Sequence, residues 1–183
     1  MKLKALSLCA ALLCGAALPS PAPAFARKPA KGIDGTYVLD DPAAAETVTK
    51  AIDAAVKGIG WKTRFARARL KKTNLPPYRR IVIRVGVRAE SVSITTDGRA
   101  PIVTPPDGTP IDWVREDKEK LKVSTTVAAA AGPLKQTFKS EDGERVNTYS
   151  VSGDGNTLTM QVAVNSSSLP RPATYALKYR RVP

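Results

Sequence analysis

The sequence predicts a mainly β (α+β) domain: an antiparallel up-and-down meander of eight to ten strands forming a barrel or a strongly curled sheet, with an N-terminal helical segment packed on it. Three observations predict it. From Arg79 onward apolar residues recur with a period of two, the pattern of strands with one buried and one wet face. Asp-Gly pairs punctuate these runs at Asp97-Gly98, Asp107-Gly108, Asp142-Gly143 and Asp154-Gly155, and both residues tolerate the positive φ of tight hairpin turns. Between Asp41 and Lys72 the period becomes helical instead. Breaks roughly 8 to 14 residues apart are the spacing of a meander that closes on itself.

The chain opens with Lys2 and Lys4, an apolar run from Ala5 to Leu18 and the segment Ala24-Phe25-Ala26. These are the n-region, h-region and cleavage site of a secretory signal peptide, predicting export to the periplasm or medium with cleavage near Ala26. A spanning helix needs about 20 apolar residues; this run is shorter and is followed by Pro19, Pro21 and Pro23. Residues 27–34 read as a flexible mature N-terminus, and 35–183 as one domain with a helical insertion over about 42–73.

Within that domain, Gly35 to Leu39 is the first strand. Asp41-Pro42 reads as N-cap and N1 of a helix, followed by the stripe Val48, Ile52, Ala55, Val56 and Ile59, with Gly58 and Gly60 ending it. A second helical piece, Trp61 to Lys72, puts Trp61, Phe65 and Ala68 on one face. The strand runs then follow: Ile81, Ile83, Val85 and Val87; Val92 and Ile94; Ile111 and Trp113; Leu121, Val123, Thr125 and Val127; Leu134 and Phe138; Leu158, Met160, Val162 and Val164; Tyr175, Leu177 and Tyr179. Asn165 to Pro172 reads as a wide hairpin loop. An aromatic content of 5% is too low for the aromatic girdles of an outer-membrane barrel, so the apolar face is expected to be a core.

Cleavage removes Cys9 and Cys14, and the chain has no histidine. The mature protein therefore has no Cys/His zinc site, no disulfide or thiolate nucleophile and no histidine-based triad. No metal, cofactor or catalytic residue is expected.

Of the 29 basic residues Lys2 and Lys4 leave with the signal, so 27 basic against 16 acidic residues give the mature chain +11. Such a charge draws a protein to anionic surfaces. Export favours anionic lipid, lipopolysaccharide or glycan over nucleic acid as the partner. The charge concentrates in residues 57–88, which hold eleven cations and no acid. Arg64, Arg67, Arg69, Lys71, Lys72, Arg79 and Arg80 are the candidate anion-binding residues, arginine forks being suited to phosphates and sulfates. The competing account is a solvated helix face whose basic stems cover apolar surface.

The acids fall mostly at turns (Asp97, Asp107, Glu116, Asp117, Glu141, Asp142, Asp154), where turn chemistry accounts for them; no spacing picks out a glycosidase pair. Gly153-Asp154-Gly155-Asn156 lacks the further acids and distal Glu of a calcium loop.

Several pieces together resemble a group of uncharacterised secreted bacterial proteins with a lipocalin-like β-meander. They are Leu70-Lys71-Lys72-Thr73-Asn74, Asp107-Gly108-Thr109-Pro110 with Trp113, Arg115, Glu116 and Asp117, and Gln136-Thr137-Phe138. Asn147-Thr148-Tyr149-Ser150, Asp154 to Thr159, Leu169-Pro170-Arg171-Pro172 and Tyr175 to Arg181 complete the set. Gly35-Thr36-Tyr37 stands where lipocalins proper carry G-x-W. The resemblance implies a barrel and a binding role; it carries over no site residues.

The function expected is an exported, non-catalytic binding module for a small apolar or amphipathic ligand, with Trp113, Phe138, Tyr149 and Tyr175 as candidate lining residues. The alternatives are an envelope protein docking through residues 57–88 on anionic lipid or glycan, and a cofactor-free hydrolase using paired carboxylates.

Overall fold

The computed structural model describes residues 32–60, 63–86, 90–128 and 132–183. The signal segment, most of the 27–34 tail, Trp61, Lys62, Val87 and Arg88 lie outside the described residues. Ten strands form one antiparallel sheet: β1 (Gly35–Leu39), β2 (Arg80–Val85), β3 (Val92–Thr96), β4 (Ile102–Thr104), β5 (Ile111–Val114), β6 (Lys120–Val127), β7 (Leu134–Lys139), β8 (Gly143–Val151), β9 (Thr157–Ser166) and β10 (Ala173–Val182). Their order is β4-β3-β2-β1-β10-β9-β8-β7-β6-β5, an up-and-down barrel whose two edges are consecutive strands. The helices α1 (Ala44–Ala55) and α2 (Thr63–Asn74) connect β1 to β2. Strand direction alternates, so the helices share one end of the barrel with the β3–β4, β5–β6, β7–β8 and β9–β10 turns.

The seam between β4 and β5 is stitched at the opposite end. Thr104 Oγ1 meets Thr125 Oγ1 at 2.6 Å. The Val127 N–H donates to the Pro106 carbonyl at 3.0 Å, and the Gly108 N–H to the Thr125 carbonyl at 2.9 Å. Asp107-Gly108, expected as a hairpin turn, is instead an isolated bridge to Thr126. Gly108 has φ 91°, and a Cβ there would stand 2.9 Å from Thr126 Cγ2, so only glycine lets the chain lie this close. Asp97 and Gly98 do turn as expected, with φ of 51° and 74°.

Register puts most of the apolar residues on one face, with Val103 and Val114 exposed on the other. Tyr37, Ile81, Ile83, Ile94, Leu158, Met160, Leu177 and Tyr179 are buried inside. Lys122, Lys135, Gln161, Lys178 and Arg180 face out and are exposed. A charged outer face over an apolar inner one is the reverse of a membrane barrel. No helix among the described residues is long and apolar enough to cross a membrane.

The α1 stripe, Ala44, Val48, Ile52 and Ala55, is buried, and Val48 and Ile52 join the core with Tyr37, Ile81 and Leu177. Burial of each such side chain stabilises the fold by roughly 1.5–3 kcal/mol. Asp41 does not cap the helix. It accepts the Ala43 N–H at 2.9 Å, and the helix begins at Ala44.

α2 differs from expectation more. Phe65 is 69% exposed and Ala68 is exposed; the buried residues are Leu70 and Asn74. The apolar spacing in this arginine-rich piece is too sparse to define a core face, so α2 covers the barrel end lightly.

At the far end Arg181 closes the barrel. Its guanidinium donates to the carbonyls of Gly32, Asp34 and Gly155 and to the Tyr37 hydroxyl, each at 2.6 Å, and lies 4.9 Å over the Tyr37 ring.

Candidate functional site

The barrel is half filled. Residues of α1, β1–β3 and β8–β10, with Leu70 of α2 and Leu134 of β7, pack into one core. Between α2 and strands β3–β9 lies a cavity of about 530 Å³ that opens at the helical end. Its apolar walls include Ile94, Ile102, Trp113, Leu121 and Phe138. Trp113 and Phe138 meet edge to face, with ring centroids 6.0 Å apart, a favoured aromatic geometry.

Part of the wall is polar: Gln136, Asn147 and Tyr149 line it, and the polar row continues behind it. Thr125, Gln136 and Asn147 are direct cross-strand neighbours on β6, β7 and β8, and all three are buried with Thr104. They form one belt across the interior. The Asn147 amide donates to the Tyr149 hydroxyl at 3.2 Å, and that hydroxyl donates to Gln136 Oε1 at 3.4 Å. Burial pushes the Tyr149 and Tyr175 hydroxyls above the ordinary tyrosine range, which keeps both protonated donors. Gln136 Nε2 is buried with no partner among the described residues.

One rung above the belt, Arg145 shares register with Phe138. Its Nε donates to Asn147 Oδ1 at 2.9 Å, and its guanidinium lies 5.5 Å over the Tyr78 ring.

Ion pairs ring the mouth. Arg69 on α2 reaches Asp142 at 3.2 Å and Glu119 at 4.0 Å. Arg115 holds Asp117 at 2.7 Å and also Glu119. Arg99 holds Glu116 at 3.3 Å. Hydrogen bonding from Arg115 lowers the Asp117 carboxyl to about 2. Acids assigned by sequence to turn chemistry therefore tie α2 and three turns together across the opening.

The structure brings Trp113, Phe138 and Tyr149 to the cavity wall. Tyr175 lies off that wall, beside a small void under Asn74, with its hydroxyl donating to Asn74 Oδ1 at 2.9 Å. The basic residues do not form one free patch. Arg67 pairs with Asp53 at 2.8 Å and Arg69 with Asp142 and Glu119, while Arg64, Lys72, Arg79 and Arg80 are exposed and Lys71 is half-buried. The Arg79 and Arg80 N–H groups both donate to Asp97 Oδ1, at 2.7 and 2.9 Å.

Sequence reasoning missed Asn74, Gln136, Arg145 and Asn147. Parity was the available signal: Gln136 lies midway between Leu134 and Phe138, which were both placed inward.

No protein-family model matches the sequence, and no curated protein matches it. Among solved structures the chain is similar to the fatty-acid-binding protein 1 of Echinococcus granulosus, with 13% identity over 82% of this chain and 98% of that one and a TM-score of 0.52. It is similar to the fatty acid binding protein of Schistosoma mansoni in complex with arachidonic acid, with 16% identity, 82% and 96% coverage and a TM-score of 0.50. Human cRBP IV is similar at 18% identity, with 83% and 99% coverage and a TM-score of 0.50. These likenesses show the fold: a ten-stranded, nearly closed up-and-down barrel with a helix-turn-helix cap.

Proposed function

We propose that this is an exported, non-catalytic binding module that takes a small amphipathic ligand into the cavity between α2 and strands β3–β9. The cavity itself carries the reading. Its volume of about 530 Å³ lies in the range of small-molecule sites, which pair apolar walls with a few placed polar groups. The Trp113–Phe138 pair suits an apolar body, and the polar belt suits a ligand with a polar end. The solved structures that share the fold include proteins described as fatty-acid-binding, which supports the same choice, although fold alone does not give function. Export rests on the signal-like segment ending at Ala26.

A hydrolase fits the geometry less well. The mouth carboxylates Glu116, Asp117, Glu119 and Asp142 are each paired with an arginine. Oxygens held by arginines are not free to meet a scissile bond and a water, and hydrogen bonding from Arg115 keeps the Asp117 carboxyl ionised, so no general acid is in place there.

The test is saturable binding of a fluorescent fatty-acid probe, compared with Ile102→Trp, whose indole would occupy the cavity. Binding by the natural chain and at least about tenfold weaker binding by the variant, with retained thermal unfolding, is the expected outcome. Absence of saturable binding, or equal binding by both, overturns the proposal.

A second reading has one observation in its favour. Phe65 is 69% exposed on a helix that also exposes Arg64, Ala68, Arg69 and Lys72. An aromatic anchor among cations is the composition of a helix that lies on an anionic lipid surface.

A further inference from the structure

Arg145 holds the end of α2 as well as lining the cavity. Its Nη1 donates to the Thr73 carbonyl at 3.3 Å and to Asn74 Oδ1 at 3.1 Å. Thr73 and Asn74 are the last two residues of α2. Terminal carbonyls of a helix lack N–H partners within it, and a cation there also meets the negative end of the helix dipole. Arg145 thus caps α2 from inside the barrel.

All of its partners are neutral: Asn147 Oδ1, the Thr73 carbonyl, Asn74 Oδ1 and the Tyr78 ring. No carboxylate of the described residues lies within 4.0 Å of it. A half-buried guanidinium without a counter-charge attracts an anion strongly, and its best contact is two-pronged. Such a fork needs two adjacent N–H groups. The Nε bond to Asn147 is 2.9 Å, whereas the Nη1 bonds to α2 are longer. The weaker set is the one that yields.

We propose that Arg145 couples the charge of the bound ligand to α2. An anionic head group takes the guanidinium hydrogens now held by Thr73 and Asn74, and the last turn of α2 loosens as the ligand seats. α2 is suited to this, since only Leu70 and Asn74 in it are buried and its ion pairs are exposed. The inference rests on the cavity binding an amphipathic ligand. It adds that acids and neutral ligands of equal length act differently on the helix.

The experiment compares dodecanoic acid with dodecan-1-ol on the full chain, at a pH where the acid is ionised. Affinity is measured by probe displacement, and amide hydrogen exchange is followed over residues 63–74. The acid is expected to bind about tenfold tighter than the alcohol and to speed exchange in the last turn of α2, which the alcohol leaves unchanged. In Arg145→Gln the two ligands bind alike and the exchange response is lost; Arg145→Lys recovers part of the preference for the acid. The natural chain alone decides the matter if a variant fails to fold. Equal affinity for acid and alcohol, or unchanged or slower exchange with the acid, overturns the coupling while leaving the cavity as a binding site. Failure of both ligands to bind overturns the binding role and the coupling with it.

Discussion

Removing Arg69 should open the mouth without emptying the cavity. Arg69 is the ionic link between α2 and the opposite rim, to Asp142 at 3.2 Å and Glu119 at 4.0 Å. Its side chain is 62% exposed and that of Asp142 69%. Exposed pairs are typically worth about 0.2–1 kcal/mol, and at the longer distance the attraction in water is about 1 kcal/mol before screening. Together the two contacts hold the strap with about 1 kcal/mol, which as a barrier is about fivefold in rate. In Arg69→Ala a bound fluorescent fatty-acid probe should therefore leave about fivefold faster in stopped-flow displacement at low salt. Association should accelerate by a similar factor, so that affinity changes little. At about 1 M salt, where the screening length is about 3 Å, the natural chain should release the probe as fast as the variant. Urea unfolding should shift by less than about 1 kcal/mol. An unchanged release rate refutes the strap. So does weaker affinity with unchanged association, because Arg69 would then be touching the ligand.

Two further outcomes follow from exposed and buried groups. Vesicles rich in phosphatidylglycerol should retain the protein at low salt and lose it as salt rises, with Phe65→Ala retained less; retention indifferent to salt would end the idea of a docking helix. Burial raises the hydroxyls of Tyr149, Tyr175 and Tyr179 above the ordinary value of 10.0. The folded state therefore holds these protons more tightly than the unfolded chain, and its stability is full below about pH 10 and lost as pH rises beyond it. Phenolate absorbance from these residues should appear together with loss of circular dichroism, and reversible ionisation before unfolding would contradict the burial.

The fold was legible where strands obey the expected division of faces. β6, β9 and β10 alternate apolar and polar residues cleanly because one face meets the core and the other meets water. β4 left no signal, since its three residues lie between Pro101 and Pro105. β8 was missed for a more informative reason. Its inward residues are Arg145, Asn147, Tyr149 and Val151, and its outward residues include Val146. Period-two reasoning equates polar with outward, so a strand that turns polar groups toward a cavity loses its signature. Trp113 and Phe138 were found because aromatic residues on an inward parity fit both core and cavity. The rim was illegible because Arg69 and Asp142 lie far apart in sequence, and each has a sufficient local explanation in a basic helix and a turn.

An aromatic content of 5% is low for a ligand-binding barrel, and the division of the interior explains how the fold manages with it. A void lined by packed apolar side chains forfeits the contacts its walls would otherwise make, and unpaired polar groups in such a wall are costly as well. This chain reduces both costs by segregation. α1 plugs one half of the barrel with Val48 and Ile52 and builds a continuous core from β1–β3 to β8–β10. The other half has on one side a wall of polar residues that bond mainly to one another, Tyr149 to Gln136 and Arg145 to Asn147 and Asn74, with the Thr104–Thr125 bond behind it. Such a wall keeps its hydrogen bonds when the cavity contains only water and can exchange some of them when a ligand arrives. Few aromatics are needed, because the filled half supplies stability and the hollow half needs only an apolar stripe, from Trp113 to Phe138, beside a polar end. Arg145 stands where the two requirements meet. It completes the belt, caps the helix that covers the opening, and presents to the cavity a cation whose partners are all neutral.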